Sequence, residues 1–141
     1  MGRSEGGGAM SIETDAASLL NGFAAWLDAA MNRKLPPEVQ AFSFNLYEAP
    51  GTWDMEITGA AAFDPANADW ACDPLFSYPE LFYMPRDIVG TEWEHALAVG
   101  IELVTIYLRG GKHRKVLQSS LAVAIGFVDG DLTIVWPEMT A

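Results

Sequence analysis

Apolar side chains along residues 15–34 recur as Leu19, Leu20, Phe23, Leu27, Ala30 and Met31, mostly at spacings of three and four that set them on one face of a helix. Thr14 or Asp15 suits the N-cap of this helix, Arg33 and Lys34 complement its negative C-terminal end, and Pro36-Pro37 stops it. The period then changes to two. Phe42, Phe44 and Leu46 alternate with Ser43, Asn45 and Tyr47, and beyond Ala49-Pro50-Gly51 the residues Trp53, Met55 and Ile57 alternate with Asp54, Glu56 and Thr58. Two such runs joined by a turn predict a hairpin with one oily and one wet face.

Residues 59–90 hold prolines at 65, 74, 79 and 85 and little periodicity, which predicts mostly loop with a short strand at Leu81 to Met84. A second helix is expected from Thr91, where Thr91-Glu92-Trp93-Glu94 has the spacing of a capping box. Trp93, Leu97, Ile101, Val104 and Leu108 follow, and Gly110-Gly111 ends the run. Last, Leu121, Val123, Ile125 and Phe127 alternate up to Asp129-Gly130, and Leu132, Ile134 and Trp136 alternate after it, the signature of a hairpin with a tight turn. The order α-β-β-loop-α-β-β predicts a single α+β domain over 11–141. It has an antiparallel sheet of four or five strands with two helices on one face, and residues 1–10, with four glycines and no apolar run, read as a flexible N-terminal tail without the features of a secretory signal.

A chain of 141 residues, half of them apolar and 19% charged, has the size of one domain with one core, which excludes most multidomain enzymes. No apolar stretch reaches the roughly 18 to 20 residues that a membrane helix needs, so a soluble protein is expected and a membrane partner is not. The single cysteine, Cys72, excludes an internal disulfide and a cysteine-type zinc site, and fits a reducing cytoplasm. The net charge of −11 repels nucleic acid and favours a basic protein partner.

That charge is unevenly spread. From Leu35 to Pro85 the chain carries Glu38, Glu48, Asp54, Glu56, Asp64, Asp69, Asp73 and Glu80 and no Lys or Arg. Asp54 and Glu56 share the wet face of the first hairpin with Ser43, Asn45 and Tyr47, and Asp64, Asp69 and Asp73 follow in the loop. The ordinary reading is a solvated acidic surface. The functional one is a docking face built from Asp54, Glu56, Asp64, Asp69 and Asp73, with Tyr47 and Trp70 as aromatic anchors. Calcium binding would need oxygen ligands at regular spacing and a Gly at the sharp turn, which this loop lacks. Trp70 and Cys72, two apart in extended chain, are expected to pin the loop to the core, with Cys72 a buried structural thiol.

No catalytic triad is readable, and no catalytic residue, metal site or cofactor is expected. His95 falls on the polar side of the second helix, and His113 lies in Arg109-Gly110-Gly111-Lys112-His113-Arg114-Lys115, where the glycines follow a helix instead of opening one, so the basic residues serve its C-terminus. Trp26, Trp53, Trp93 and Trp136 fall on apolar faces and are expected in the core. Ala122, Ala124 and Gly126 on one face of the last hairpin admit a close neighbour. Either another element packs there, or a cleft lets a ligand touch backbone, and the latter supports a second reading as a small-molecule-binding protein or small enzyme.

The segments Phe44-Asn45-Leu46-Tyr47-Glu48, Trp70-Ala71-Cys72-Asp73 and Gly126-Phe127-Val128-Asp129-Gly130-Asp131-Leu132 resemble those of small acidic bacterial cytoplasmic proteins of unknown function, some of which are similar to immunity-type proteins of toxin systems. The resemblance implies a binder that covers a functional surface of a basic nuclease or similar effector, and it carries over no catalytic residue.

Overall fold

The computed structural model describes residues 3–137, with side chains from residue 15 onward. The first hairpin forms where the period-two alternation predicts it. β1 (Ala41–Ala49) and β2 (Thr52–Ala60) pair antiparallel from Ala41↔Ala60 to Ala49↔Thr52. Pro50 and Gly51 make the turn, and Gly51 takes a φ of 78°, which a side chain would disfavour.

The proline-rich stretch yields two strands. β3 (Pro74–Ser77) pairs with Thr58 to Ala60 of β2, and β4 (Phe82–Pro85) pairs with Thr52 to Met55, so the two share the outer side of β2 end to end. Pro74 opens one strand and Pro85 closes the other, positions where a missing N–H breaks no interior ladder. On the other side of β1 lies β5 (Ala122–Phe127), parallel to it from Ala41↔Ala122 to Leu46↔Phe127, and then β6 (Thr133–Trp136), antiparallel to β5. The sheet is thus six-stranded and mixed, in the order β3-β2-β1-β5-β6 with β4 also on β2. The α+β class holds, but the antiparallel sheet of four or five strands does not. The alternation within a hairpin fixes its own pairing and says nothing of how two hairpins meet. The connection back over the sheet delivers β5 at the end where β1 begins, which makes the two parallel.

Among the described residues there are four α-helices where two were expected: α1 (Arg3–Met31), α2 (Arg86–Val89), α3 (Trp93–Gly110) and α4 (Arg114–Gln118). α1 begins well before the cap expected at Thr14 or Asp15 and runs through 3–10. Phe23 and Leu27 of α1, Leu103 and Val104 of α3 and Leu117 of α4 pack with Phe44, Leu46, Met55, Ile57 and Ile125 in one core. Phe23 sits at its aromatic centre, edge-on to Phe82 at 5.5 Å and to Tyr107 at 6.3 Å. Among the described residues no helix is long and apolar enough to cross a membrane.

Two local expectations fail. The carbonyl of Glu92, not of Thr91, accepts the first helical bonds of α3, from His95 and Ala96, and no side chain caps that end, so the capping box does not form. In the last hairpin, the Gly130 N–H donates to Phe127 O at 3.0 Å. Val128 and Asp129 therefore take the centre of the turn, and the chain runs on to Thr133 before re-entering the sheet.

Candidate functional site

The helical core occupies one face of the sheet, and the other face divides into a covered end and an open end. At the covered end, Ala41, Ala60, Ala122 and Ala124 form a floor of small side chains roofed by Trp70, with Phe63 and Ile134 alongside. Trp70 is only 8% exposed and meets Phe63 edge-on at 5.3 Å. It is held there by a short 3-10 turn, Ala68–Cys72, whose N-terminus is capped by Asn67 accepting from the Asp69 N–H at 3.0 Å. Asp64 makes a similar local bond, accepting from the Ala66 N–H at 2.9 Å.

This end accounts for several sequence expectations. Trp70 is an anchor for its own loop, not an aromatic presented to a partner. Cys72 is exposed, because a 3-10 turn does not keep the two-residue alternation of an extended chain, so the expectation of a buried thiol is corrected. The place where a cleft would form is filled: Ala122 and Ala124 are fully buried under the loop, and a side-chain carbon on Gly126 would collide with the Asp131 carbonyl. The small residues serve close packing of the chain on itself.

The open end carries the outer part of the first hairpin's polar face: Ser43 and Thr58 are buried at its inner edge, and half-buried Asn45, Tyr47, Asp54 and Glu56 reach the surface. Across it, Ser43 lies opposite Thr58, Asn45 opposite Glu56 and Tyr47 opposite Asp54, and the next strand places Tyr83 opposite Asp54. A hydrogen-bonded network ties these side chains together. Ser43 Oγ donates to Asn45 Oδ1 at 2.7 Å, and Asn45 Nδ2 donates to Glu56 Oε1 at 3.1 Å and to Thr58 Oγ1 at 3.3 Å. The Tyr47 phenol donates to the same Glu56 Oε1 at 2.8 Å, while Thr52 Oγ1 donates to Asp54 Oδ1 at 2.7 Å. Desolvation, with the hydrogen bond and charge of Glu56 adding to it, pushes the Tyr47 pKa up to about 12. Both carboxylates are therefore positioned by neutral donors, and no ion pair to either forms among the described residues.

Asp54, Glu56 and Tyr47 are thus brought together as the alternation implied, and Asp69 and Asp73 flank the Trp70 roof on the same side of the sheet, exposed like Asp64. Tyr83, 58% exposed, is an aromatic of this face that the sequence reading passed over, although Phe82 and Met84 on either side of it carry the alternation that would have found it. Arg86, the first cation after the acidic stretch, folds back on the hairpin. Its guanidinium lies 4.0 Å from the Trp53 ring centroid and 4.0 Å from Glu48, and its Nε donates to Thr52 O at 3.2 Å.

His95 is exposed and His113 lies beyond α3, and among the described residues no three of His, Cys, Asp and Glu come together in a way that could hold a metal ion. In the basic segment, Arg114 Nη1 donates to Gly111 O at 3.0 Å, so this cation is used to bond the carbonyl end of the preceding helix. No protein-family model, curated protein or solved structure matches this chain.

Proposed function

We propose that this chain is a non-enzymatic protein-binding module, of immunity or regulatory type, that covers a basic protein partner with the open face of its sheet. The observation that carries the reading is the way Asp54 and Glu56 are held. Hydroxyl and amide donors fix both carboxylates without neutralising them, on a sheet face that the helices leave uncovered. A negative charge ordered in advance loses little side-chain freedom on binding and keeps its attraction for a cation. Tyr47 and Tyr83 supply flat, partly exposed aromatic area on the same face, and Asp64, Asp69 and Asp73 extend the negative field over the neighbouring loop. A basic effector masked by such a face is the arrangement expected of an immunity-type protein.

The test is co-purification of the full chain with the product of the adjacent reading frame, at low and at high salt. A complex that weakens with salt and is lost in the double charge reversal Asp54→Lys/Glu56→Lys supports the reading. A complex indifferent to that reversal sinks it, as does failure of the two products to associate.

A further inference from the structure

At the hairpin-turn end of the molecule, on the helical side of the sheet, a cavity of about 630 Å3 opens where the parallel strands β1 and β5 both finish. It lies between the start of α3 and the chain running from Asp129 to Thr133. Its walls are aromatic. Phe127 stands in the middle, with Trp53 edge-on at 5.6 Å and 80° and Trp93 edge-on at 6.1 Å and 90°. Trp93 was expected in the core and is instead 52% exposed, a large indole held by its neighbour yet left uncovered.

The rim is acidic. Glu48, Glu92, Asp129 and Asp131 line the cavity, and no Lys or Arg does. Of these four, Glu48 meets Arg86, whereas no ion pair to Glu92, Asp129 or Asp131 forms among the described residues. Beside this cavity the protein already displays the contact such walls favour, because Arg86 sets its guanidinium against the Trp53 ring with Glu48 as counter-ion.

An anionic ligand would meet only repulsion from such a rim, and an apolar one would bury carboxylates without a partner. A cation with an apolar or planar skin satisfies both parts of the site, since aromatic faces attract it through their quadrupole and the carboxylates through charge. We propose that this cavity binds an organic cation, an alkylated ammonium or guanidinium group, seated against Trp93 and Phe127 with Asp129 and Asp131 as counter-ions. The proposal does not rest on the open-face reading, because neither Asp54 nor Glu56 lines the cavity.

The test is a titration of the full, isotope-labelled chain with choline chloride, followed by NMR. Sodium chloride at matched ionic strength and dimethylbutanol, the uncharged isostere of choline, are the controls. Saturable shifts of the Trp93 indole and the Gly130 amide are expected with choline alone. In Trp93→Ala and in Asp129→Asn/Asp131→Asn the affinity read at Gly130 should drop about tenfold or more, the loss expected for a cation–aromatic contact or its counter-ions. Asp129 and Asp131 are exposed, so their double variant should keep the melting temperature of the parent, and it carries the test where Trp93→Ala, which uncovers Phe127, lowers that temperature. Equal shifts with the isostere or with sodium chloride, or undiminished affinity in both variants, overturn the proposal. Ethylguanidinium and a short arginine peptide then separate the source of the cation. Tighter binding of the peptide assigns the cavity to a side chain of a protein partner, and equal binding assigns it to a free small molecule.

Discussion

Tyr47 and Glu56 stand diagonally across the first hairpin, and the phenol of one donates to the carboxylate of the other at 2.8 Å. The contact holds the charge of Glu56 in place and also ties the proton to Tyr47, whose pKa rises from 10.0 to about 12. A folded-state pKa above the unfolded value means that the folded chain keeps the proton more tightly. The stability this supplies is fully present below pH 10 and is lost as pH rises from 10 to about 12. Denaturation midpoints should therefore fall through that window, and Tyr47→Phe should fall less over the same range. Phenolate absorbance checks the assignment: the step near pH 12 should vanish from the titration of Tyr47→Phe. Tyr107, raised further by burial and by Asp28, is not the source of that step.

Trp70 and Cys72 are separated by one residue and have opposite surroundings, one roofed into the sheet and the other in solvent. Trp70→Ala should cost about 3 to 5 kcal/mol, because its removal uncovers a floor of four alanines that cannot collapse to fill the space. Urea unfolding measures this. Cys72 should react with a thiol reagent in the native protein nearly as fast as in denaturant. Strong protection of the native thiol would mean that the loop lies closer to the sheet than described.

Tyr107 joins three parts of the helical layer. Its hydroxyl donates to Asp28 Oδ1 at 2.6 Å and accepts from the His113 N–H at 3.0 Å, which links α1, α3 and the chain entering α4. Tyr107→Phe leaves both groups without their partner and should destabilise by about 1 to 3 kcal/mol. Gly111→Ala should act on the same spot, since its new carbon would press on the Tyr107 ring at 2.6 Å. If the two effects arise at one place, the double variant should be less destabilised than the sum of the single ones.

Much of this was legible in the chain. The alternation of Phe42 to Thr58 located a hairpin and sorted Asp54, Glu56 and Tyr47 onto its wet face, because a half-buried strand imposes that pattern locally. The parallel pairing of β1 with β5 was not legible, since it depends on where α3 and α4 return the chain and not on any residue within the strands. At Gly111, which follows α3, the backbone has an ordinary φ of −70°, so freedom to adopt a left-handed conformation is not what this glycine supplies. The ring of Tyr107, four residues back, is what leaves no room there. Trp93 misled for a related reason: it continues the apolar stripe of α3, but at the first turn that stripe has passed beyond the sheet and points to the cavity. Periodicity reports a face, and only the packed structure says where the face runs out.

Gly126 is where the packing and ligand readings of the last hairpin part most sharply. Its neighbour is the backbone of Asp131 and Leu132, which cannot swing aside as a side-chain tip can. Gly126→Ala must therefore push the stretch 128–132 off β5, at a cost of about 1 to 3 kcal/mol. Faster amide exchange should appear at Gly130, whose N–H closes the turn on Phe127 O, while β1 and β2 keep their protection. Ala124→Gly serves as the control: it removes a buried methyl without moving that backbone, and should destabilise without releasing the Gly130 amide. A Gly126→Ala protein as stable as the parent, with Gly130 still protected, would show that the strand end is free to take a side chain and that the close approach is not what keeps this position small.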